Sequence, residues 1–122
     1  MEKVVKLNRG YQDLQVWHKA IALAESVYRA TSNFPRDEIY GLTSQMRRAS
    51  VSIASNIAEG SARNGTKEFM QFLGIALGST AELKTQLYIA ARLLYIEKQA
   101  FEALLEQSGE VERMLNGLLK SL

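Results

Sequence analysis

Apolar side chains recur every three or four positions in four separate segments of the chain, which is the spacing of amphipathic helices. No run of six residues alternates apolar and polar side chains, so strands are not expected. The predicted helices cover residues 13–31, 37–59, 67–95 and 97–121. The loops between them are too short for a crossover, so consecutive helices should be antiparallel neighbours. The pattern therefore predicts an all-α fold, an antiparallel up-and-down four-helix bundle.

Residues with special backbone preferences mark the ends of these predicted helices. Asp13 and Thr66 are expected to cap the first and third helices, because their side-chain oxygens can accept from free N–H groups. Gly60 is expected to end the second helix in the left-handed conformation. Gly74 and Gly78 lie inside the third helix, where each costs about 1 kcal/mol relative to alanine. The expected reason for that cost is another backbone packed close by.

Two of the helices carry more apolar surface than one core face requires. In the first helix, the expected core stripe is Leu14, Trp17, Ile21, Ala24, Tyr28 and Thr31, and a second stripe is Val16, Ala20, Leu23 and Val27. In the fourth helix, Leu105, Met114 and Leu119 lie beside the main stripe. A second periodic apolar stripe favours a partner, so the chain is expected to form a homo-oligomer.

Length and composition place the chain in one domain, with a bundle at residues 13–122 and a basic arm at residues 1–12 that holds Lys3, Lys6 and Arg9. There are no cysteines, which excludes disulfides and thiolate metal sites. No apolar stretch approaches the ~18 residues of a membrane span, so no membrane partner is expected. The expected location is cytoplasmic.

Positive charge is concentrated in the first half of the chain, although the net charge is only +2. Residues 1–67 hold ten Lys/Arg and six Asp/Glu, a net of +4. Arginine suits phosphate because its planar fork donates two hydrogen bonds at once. The sequence therefore nominates a nucleic-acid-binding patch around one helix end, formed by Arg47, Arg48, Arg63 and Lys67. A solvated basic face with no ligand is the alternative.

The stretch from Ser52 to Gly60 is unusually rich in small and polar residues. We interpret Ser52, Asn56, Glu59 and Gly60 as a structural polar network along a helix–helix contact. In that interpretation Glu59 accepts hydrogen bonds from an arginine and from loop amides.

No pattern in the chain points to catalysis. His18 is the only histidine, and no Glu-x-x-His repeat provides metal ligands. The serines have no histidine-based relay and no G-x-S-x-G elbow, and no phosphate-binding glycine loop is present. We therefore expect no catalytic residues, no metal, no cofactor and no enzymatic activity.

Several motifs together resemble a known family. They are Leu14-Gln15-Val16-Trp17, Phe34-Pro35, the segment from Tyr40 to Ala49, the segment from Ser52 to Gly60, and Glu68-Phe69. They resemble the four-helix-bundle proteins encoded in intervening sequences of bacterial large-subunit ribosomal RNA genes, over about residues 11–96. The resemblance implies a cyclic homopentamer with no catalytic residues. A similar pentameric fold occurs in accessory proteins of diversity-generating retroelements, which bind nucleic acid and a reverse transcriptase.

Two functions from different classes follow from these observations. The first is a non-enzymatic oligomeric scaffold that associates with RNA through a basic surface. The alternative is a protein–protein adaptor with no nucleic-acid role.

Overall fold

The computed structural model describes residues 10–122, and its regular elements in that range are all helical. The helices are α1 (Gln15–Thr31), α2 (Leu42–Ser61), α3 (Thr66–Arg92) and α4 (Lys98–Ser121). Two short 3-10 turns, Gly10–Asp13 and Arg36–Glu38, precede α1 and α2. Each helix packs against the next, and α4 returns to α1. The all-α four-helix bundle predicted from the sequence is confirmed.

The core is one buried stripe from each helix, at the three- and four-residue spacing that the sequence shows. Removing these side chains from water is the main stabilising contribution, about 25 cal/mol per Å² of apolar surface. The largest completely buried apolar side chains are Leu23, Val27, Met46, Ile53, Ile57, Leu73, Leu83, Leu87, Val111 and Leu115.

Two of the connections meet at one end of the bundle. The Tyr95 hydroxyl donates to the Glu38 carboxylate at 2.9 Å, and the rings of Phe34 and Tyr95 have centroids 5.6 Å apart. These contacts bring the α1–α2 connection, residues 32–41, against the α3–α4 connection, residues 93–97. We call this region the two-loop end. The α2–α3 connection, residues 62–65, follows the far end of α2.

The structure corrects the assignment of the apolar faces. In α1 the second stripe, Val16, Ala20, Leu23 and Val27, is the buried one. Ile21 and Tyr28, expected in the core, are exposed. In α4, the extra residues Leu105, Met114 and Leu119 pack against the core of their own chain. The additional apolar surface of α4 is thus used inside the bundle.

The helix ends also differ from the prediction. Asp13 lies in the first 3-10 turn, and α1 begins at Gln15 after Leu14. The second helix begins at Leu42 and not at Asp37, because residues 36–38 form a separate turn. Glu38 from that turn accepts the Leu42 backbone N–H at 2.9 Å, which supplies a partner for the first helical amide.

The remaining predicted ends need smaller corrections. Thr66 is the first residue of α3 and Gly65 is its N-cap, so Thr66 does not cap the helix. Gly60 lies inside α2, which continues to Ser61 and has no left-handed residue at Gly60. The backbone freedom of glycine therefore does not end α2 at Gly60, where the helix packs against α3.

The predicted N-terminal arm lies mostly outside the described residues, including Lys3, Lys6 and Arg9. Its last residues pack on the bundle. The ring centroids of Tyr11 and Trp17 are 5.0 Å apart, and the Nε2 atom of His18 lies 3.0 Å from the Gln12 carbonyl oxygen. The first turn also contacts α2. Residues 10–12 of the predicted arm therefore contact the bundle, and the boundary at Asp13 stays a prediction.

Candidate functional site

A short hydrogen-bond chain joins α2 to α3. The hydroxyl oxygens of Ser52 and Ser79 are 2.9 Å apart. The Asn56 side-chain amide donates to the Ser52 carbonyl at 2.8 Å and to the Ser52 hydroxyl at 3.0 Å. These side chains are half-buried, so each bond replaces one that water would otherwise supply. Ser52 and Asn56 thus lie in a polar contact between two helices.

Glu59 lies outside that chain, and of its two kinds of predicted partner only the arginine is present among the described residues. Its side chain is 54% exposed, and its carboxylate accepts from the Arg63 guanidinium at 3.0 Å, one turn further along the chain. It accepts from no loop amide in the described part of the chain. The reason is its position on the solvent side of α2, where a surface ion pair is screened by water.

Gly60 is buried where α2 and α3 come closest. A Cβ atom added there would lie 2.6 Å from the Cβ of Phe72 and 3.1 Å from a ring carbon of Phe69. Side-chain carbons do not pack that closely, so only glycine fits without a shift of α3. Gly60 is therefore required by close approach and not by a left-handed backbone.

The four residues nominated for nucleic-acid binding do not form one patch. Arg47 is near the start of α2, and Arg63 follows its end 16 positions later, which is about 24 Å at 1.5 Å per helical residue. The Arg47 Nε donates to the Thr31 hydroxyl at 2.9 Å, and Arg63 pairs with Glu59. Arg48 and Lys67 are exposed. The predicted clustering around one helix end is wrong because it treated neighbours in sequence as neighbours in space.

Charged residues of both signs surround the two-loop end, which itself holds Arg36 together with Asp37, Glu38 and Glu97. The helix turns beside it add five basic residues and two acidic ones, which are Arg29, Arg47, Arg48, Arg92 and Lys98, and Glu25 and Glu102. Sequence reasoning missed Arg29 and Arg36. A usable signal was the position of Arg36 directly after Pro35, in a loop, where binding residues are common.

A cleft opens beside the α1–α2 connection, with a volume of about 490 Å³. Arg36 and Arg47 line it together with three hydroxyl side chains, and Phe34, Pro35 and Ile39 form its apolar wall. Among residues 10–122, no carboxylate lines it. The volume is in the range of small-ligand and peptide pockets.

Asp37 directly follows Arg36 and is exposed, and the next carboxylate, Glu38, is held by partners outside the cleft lining. Hydrogen bonds from the Leu42 N–H and then from the Tyr95 hydroxyl lower the pKa of Glu38. The bond to Glu38, followed by burial and the charges of Glu38 and Asp37, raises the pKa of Tyr95. The ionised carboxylate and the protonated phenol therefore stabilise each other at neutral pH.

Large apolar side chains project from the same end. Tyr40 is 94% exposed and Leu94 is 88% exposed, and Ile39 and Leu93 are half exposed. Leu94 has φ +64°, the only positive φ of a non-glycine residue among those described. For a bulky side chain this left-handed conformation is an outlier. Helical periodicity continues to Leu94, so no sequence pattern indicates this conformation.

The outer face of α3 also exposes apolar side chains. Met70, Ile75 and Ile89 are exposed there. Gly74 and Gly78 are exposed beside them, and a Cβ added to either would meet no atom within 4 Å. The expected close backbone neighbour is therefore absent from this chain's own described residues.

Residues 10–122 contain neither a candidate metal site nor a candidate membrane-spanning helix. No group of three or more His, Asp or Glu side chains is placed to hold a metal ion in that range. None of its helices combines the length and apolar character needed to cross a membrane.

The chain is similar to one protein family and to several solved structures. The sequence profile of the family described as "23S rRNA-intervening sequence protein" matches residues 12–117. A solved structure, that of a protein with unknown function from the S23 ribosomal protein family of Bacteroides thetaiotaomicron VPI-5482, superposes with a TM-score of 0.78. Its sequence is 25% identical, and the alignment covers 86% of this chain and 98% of that one. A search of curated proteins finds no match.

Neither the family description nor the name of the similar structure states an enzymatic activity. The matched region spans all four helices and includes Gly60, the Ser52–Asn56 chain and both loops of the two-loop end. The chain therefore belongs to the family of 23S rRNA-intervening sequence proteins.

Proposed function

We propose that this chain is a non-enzymatic scaffold that assembles with copies of itself through the outer face of α3. The main support for this proposal is that exposed apolar side chains and exposed glycines occur together in the middle of α3. Each glycine lowers helix stability by about 1 kcal/mol and gains no close contact with any other described residue. A helix packed against Gly74 and Gly78 from another copy would use the space that the missing side chains leave.

A groove between α1 and α2 offers a complementary surface. It has a volume of about 260 Å³, and its lining includes Trp17, Ile21, Val51 and Ala58. Ile21 and Val51 are exposed, so apolar surface remains for a partner to cover. Because this groove and the α3 face are different surfaces, contact between them is heterologous. Repeated heterologous contacts close into a ring when the rotation between copies permits.

The family resemblance sets the proposed number of copies at five. Light scattering on purified protein at micromolar concentration tests this directly. We expect five copies of a 13.7 kDa chain, about 69 kDa. A stable monomer would contradict self-association, whereas a dimer would support association and contradict the pentamer.

RNA association is the second candidate function. Its support is the family's description and the exposure of Arg48 and Lys67, for which no ion pair is found among the described residues. A ring would present each cation five times, and several weak phosphate contacts on one RNA would then act together. Such a role places the protein in the cytoplasm, with the RNA.

An RNA titration at several salt concentrations tests this candidate. We expect affinity to fall as salt rises, with little sequence preference, because phosphate contacts release counterions and do not read bases. The double variant Arg48→Glu, Lys67→Glu should bind more weakly. Arg113→Glu is the matched control, because Arg113 is an exposed cation on α4. Equal binding by all three proteins, or none at low salt, would contradict RNA association through these residues.

A further inference from the structure

We propose that the cleft at the two-loop end binds an extended peptide segment of a partner protein, one that carries a carboxylate next to an apolar side chain. This site is separate from the α3 face and the α1–α2 groove, so the inference does not rest on self-association. Three observations support peptide binding. They are the two arginines in the cleft lining, the hydrogen bonds that fix Arg47, and the apolar side chains exposed at the two-loop end.

The lining of the cleft favours a carboxylate with an apolar neighbour. Arg36 and Arg47 line it with three hydroxyl side chains, and among residues 10–122 the lining includes no carboxylate, although Asp37 directly follows Arg36 in the sequence. Phe34, Pro35 and Ile39 form the apolar wall. A carboxylate between the guanidinium groups would form charge-assisted hydrogen bonds, while an adjacent aliphatic or aromatic group would cover the wall.

Arg47 is already held in place for this role. Its Nε donates to the Thr31 hydroxyl at 2.9 Å, and one Nη donates to the Tyr28 carbonyl at 3.3 Å. Its guanidinium carbon lies 4.6 Å from the centre of the Tyr28 ring. A guanidinium has five N–H donors, so these bonds leave donors free for a ligand. A side chain fixed before binding loses less conformational entropy when the ligand arrives.

Leu94 provides an independent sign that this end meets a partner. The Tyr95 N–H donates to the Ala90 carbonyl at 2.9 Å, and the Leu94 N–H donates to the Ala91 carbonyl at 3.0 Å. This pair of bonds is the Schellman helix ending, whose left-handed position is usually glycine. Leucine there is strained and almost fully exposed, so it stabilises nothing within the described chain.

The bond between Glu38 and Tyr95 places the strained leucine and the cleft at the same end of the bundle. Glu38 is followed by Ile39, which lines the cleft, and by Tyr40; Tyr95 is preceded by Leu94. A peptide leaving the cleft along this end would therefore reach exposed apolar side chains. Nucleic acid fits less well, because the exposed aliphatic side chains beside the arginines give phosphates no partner.

The probe is an acetylated and amidated pentapeptide, Leu-Glu-Leu-Asp-Leu, titrated into full-length isotope-labelled protein and followed by NMR. The comparison peptide is Leu-Gln-Leu-Asn-Leu, which keeps the shape and removes the charge. We expect the acidic peptide to shift the side-chain Nε–H signals of Arg36 and Arg47. We expect the amide peptide to bind about ten-fold more weakly.

Three variants locate the binding. Arg36→Gln should weaken binding of the acidic peptide by about ten-fold. Leu94→Gly should weaken it as well while raising the melting temperature, because it removes the strain; a variant that had merely unfolded would lower that temperature. Lys98→Gln is the matched control, a cation at the same end that does not line the cleft, and its affinity should be unchanged.

Equal affinity for the two peptides, or shifts confined to residues outside the cleft, would overturn the proposal. So would a short RNA oligonucleotide that binds at the same arginines more tightly than the peptide and is lost in Arg36→Gln. Loss of binding in Arg36→Gln and Leu94→Gly, with Lys98→Gln unaffected, would support it.

Discussion

The hydroxyl of Tyr95 donates to the carboxylate of Glu38 at 2.9 Å, across a separation of 57 residues. The same carboxylate accepts the first helical N–H of α2, from Leu42. One acidic side chain thus caps a helix and ties two loops together. A negative group at a helix N-terminus also interacts favourably with the helix dipole.

Tyr95→Phe should reduce stability at neutral pH and change its pH dependence. The pKa of Glu38 is lowered, so its contribution is present above about pH 4 and is lost as the pH falls through the folded-state pKa. The pKa of Tyr95 is raised, so its contribution is present below about pH 10 and is lost as the pH rises through the folded-state pKa.

Urea denaturation of wild type and Tyr95→Phe between about pH 3 and about pH 11 measures this effect. The two midpoints should differ most at neutral pH and converge at both extremes. Tyr88→Phe is the matched control, because Tyr88 is half exposed and forms a ring contact with Phe101 that does not use its hydroxyl. A difference that is constant across the pH range would contradict the role of this bond.

Gly60→Ala should destabilise the protein by about 1–3 kcal/mol, although alanine is the better helix former. The added methyl would lie 2.6 Å from the Cβ of Phe72, an atom fixed to the backbone of α3. Gly117→Ala is the control, because a Cβ there meets no atom within 4 Å. It should gain up to about 1 kcal/mol. Equal effects of the two substitutions on the free energy of unfolding would show that α2 and α3 are not this close.

Glu59→Ala should change stability by less than about 1 kcal/mol, because its ion pair with Arg63 is exposed. Ser52→Ala should cost about 1 kcal/mol, because it removes bonds to Ser79 and Asn56 between two helices. Chemical denaturation of both variants distinguishes the two sites. A larger loss of unfolding free energy for Glu59→Ala than for Ser52→Ala would show that Glu59 belongs to the polar network.

Gln86→Leu should stabilise the protein by about 1 kcal/mol. The side-chain carbonyl of Gln86 is buried in α3 and accepts no hydrogen bond within residues 10–122. Leucine has a similar size and removes the cost of burying an unpaired polar group. Thermal melts of both proteins at one concentration provide the measurement. A clear loss of stability would mean that a donor outside these residues pairs with Gln86.

Apolar spacing predicts the four helices because side chains that recur every three or four positions lie on one helix face, and that face is the one buried in the core. It misassigned the face of α1, since two adjacent apolar stripes satisfy the same periodicity and only packing selects Val16 and Leu23 over Ile21. The residue type alone indicates that Gly60 has a structural role. Glycine is required there because Phe72, twelve positions away, packs against it, and local backbone preference does not reveal that contact.

The candidate site was predicted less well than the fold. Arg47 and Arg63 are close in sequence but belong to different ends of one helix. The residues that form the two-loop end come from connections 57 positions apart, which helical periodicity does not relate. The conformation of Leu94 arises from the way α3 ends, and leucine itself carries no preference for it.

Light scattering on the double variant Gly74→Gln, Gly78→Gln tests whether the protein assembles through the outer face of α3. In one chain both positions are open, so glutamine should fit and should raise helix stability. Gly117→Gln, an equally open helical glycine on α4, is the matched control. We predict a monomer for the double variant and the wild-type assembly for the control. A double variant with the wild-type mass would contradict assembly through this face.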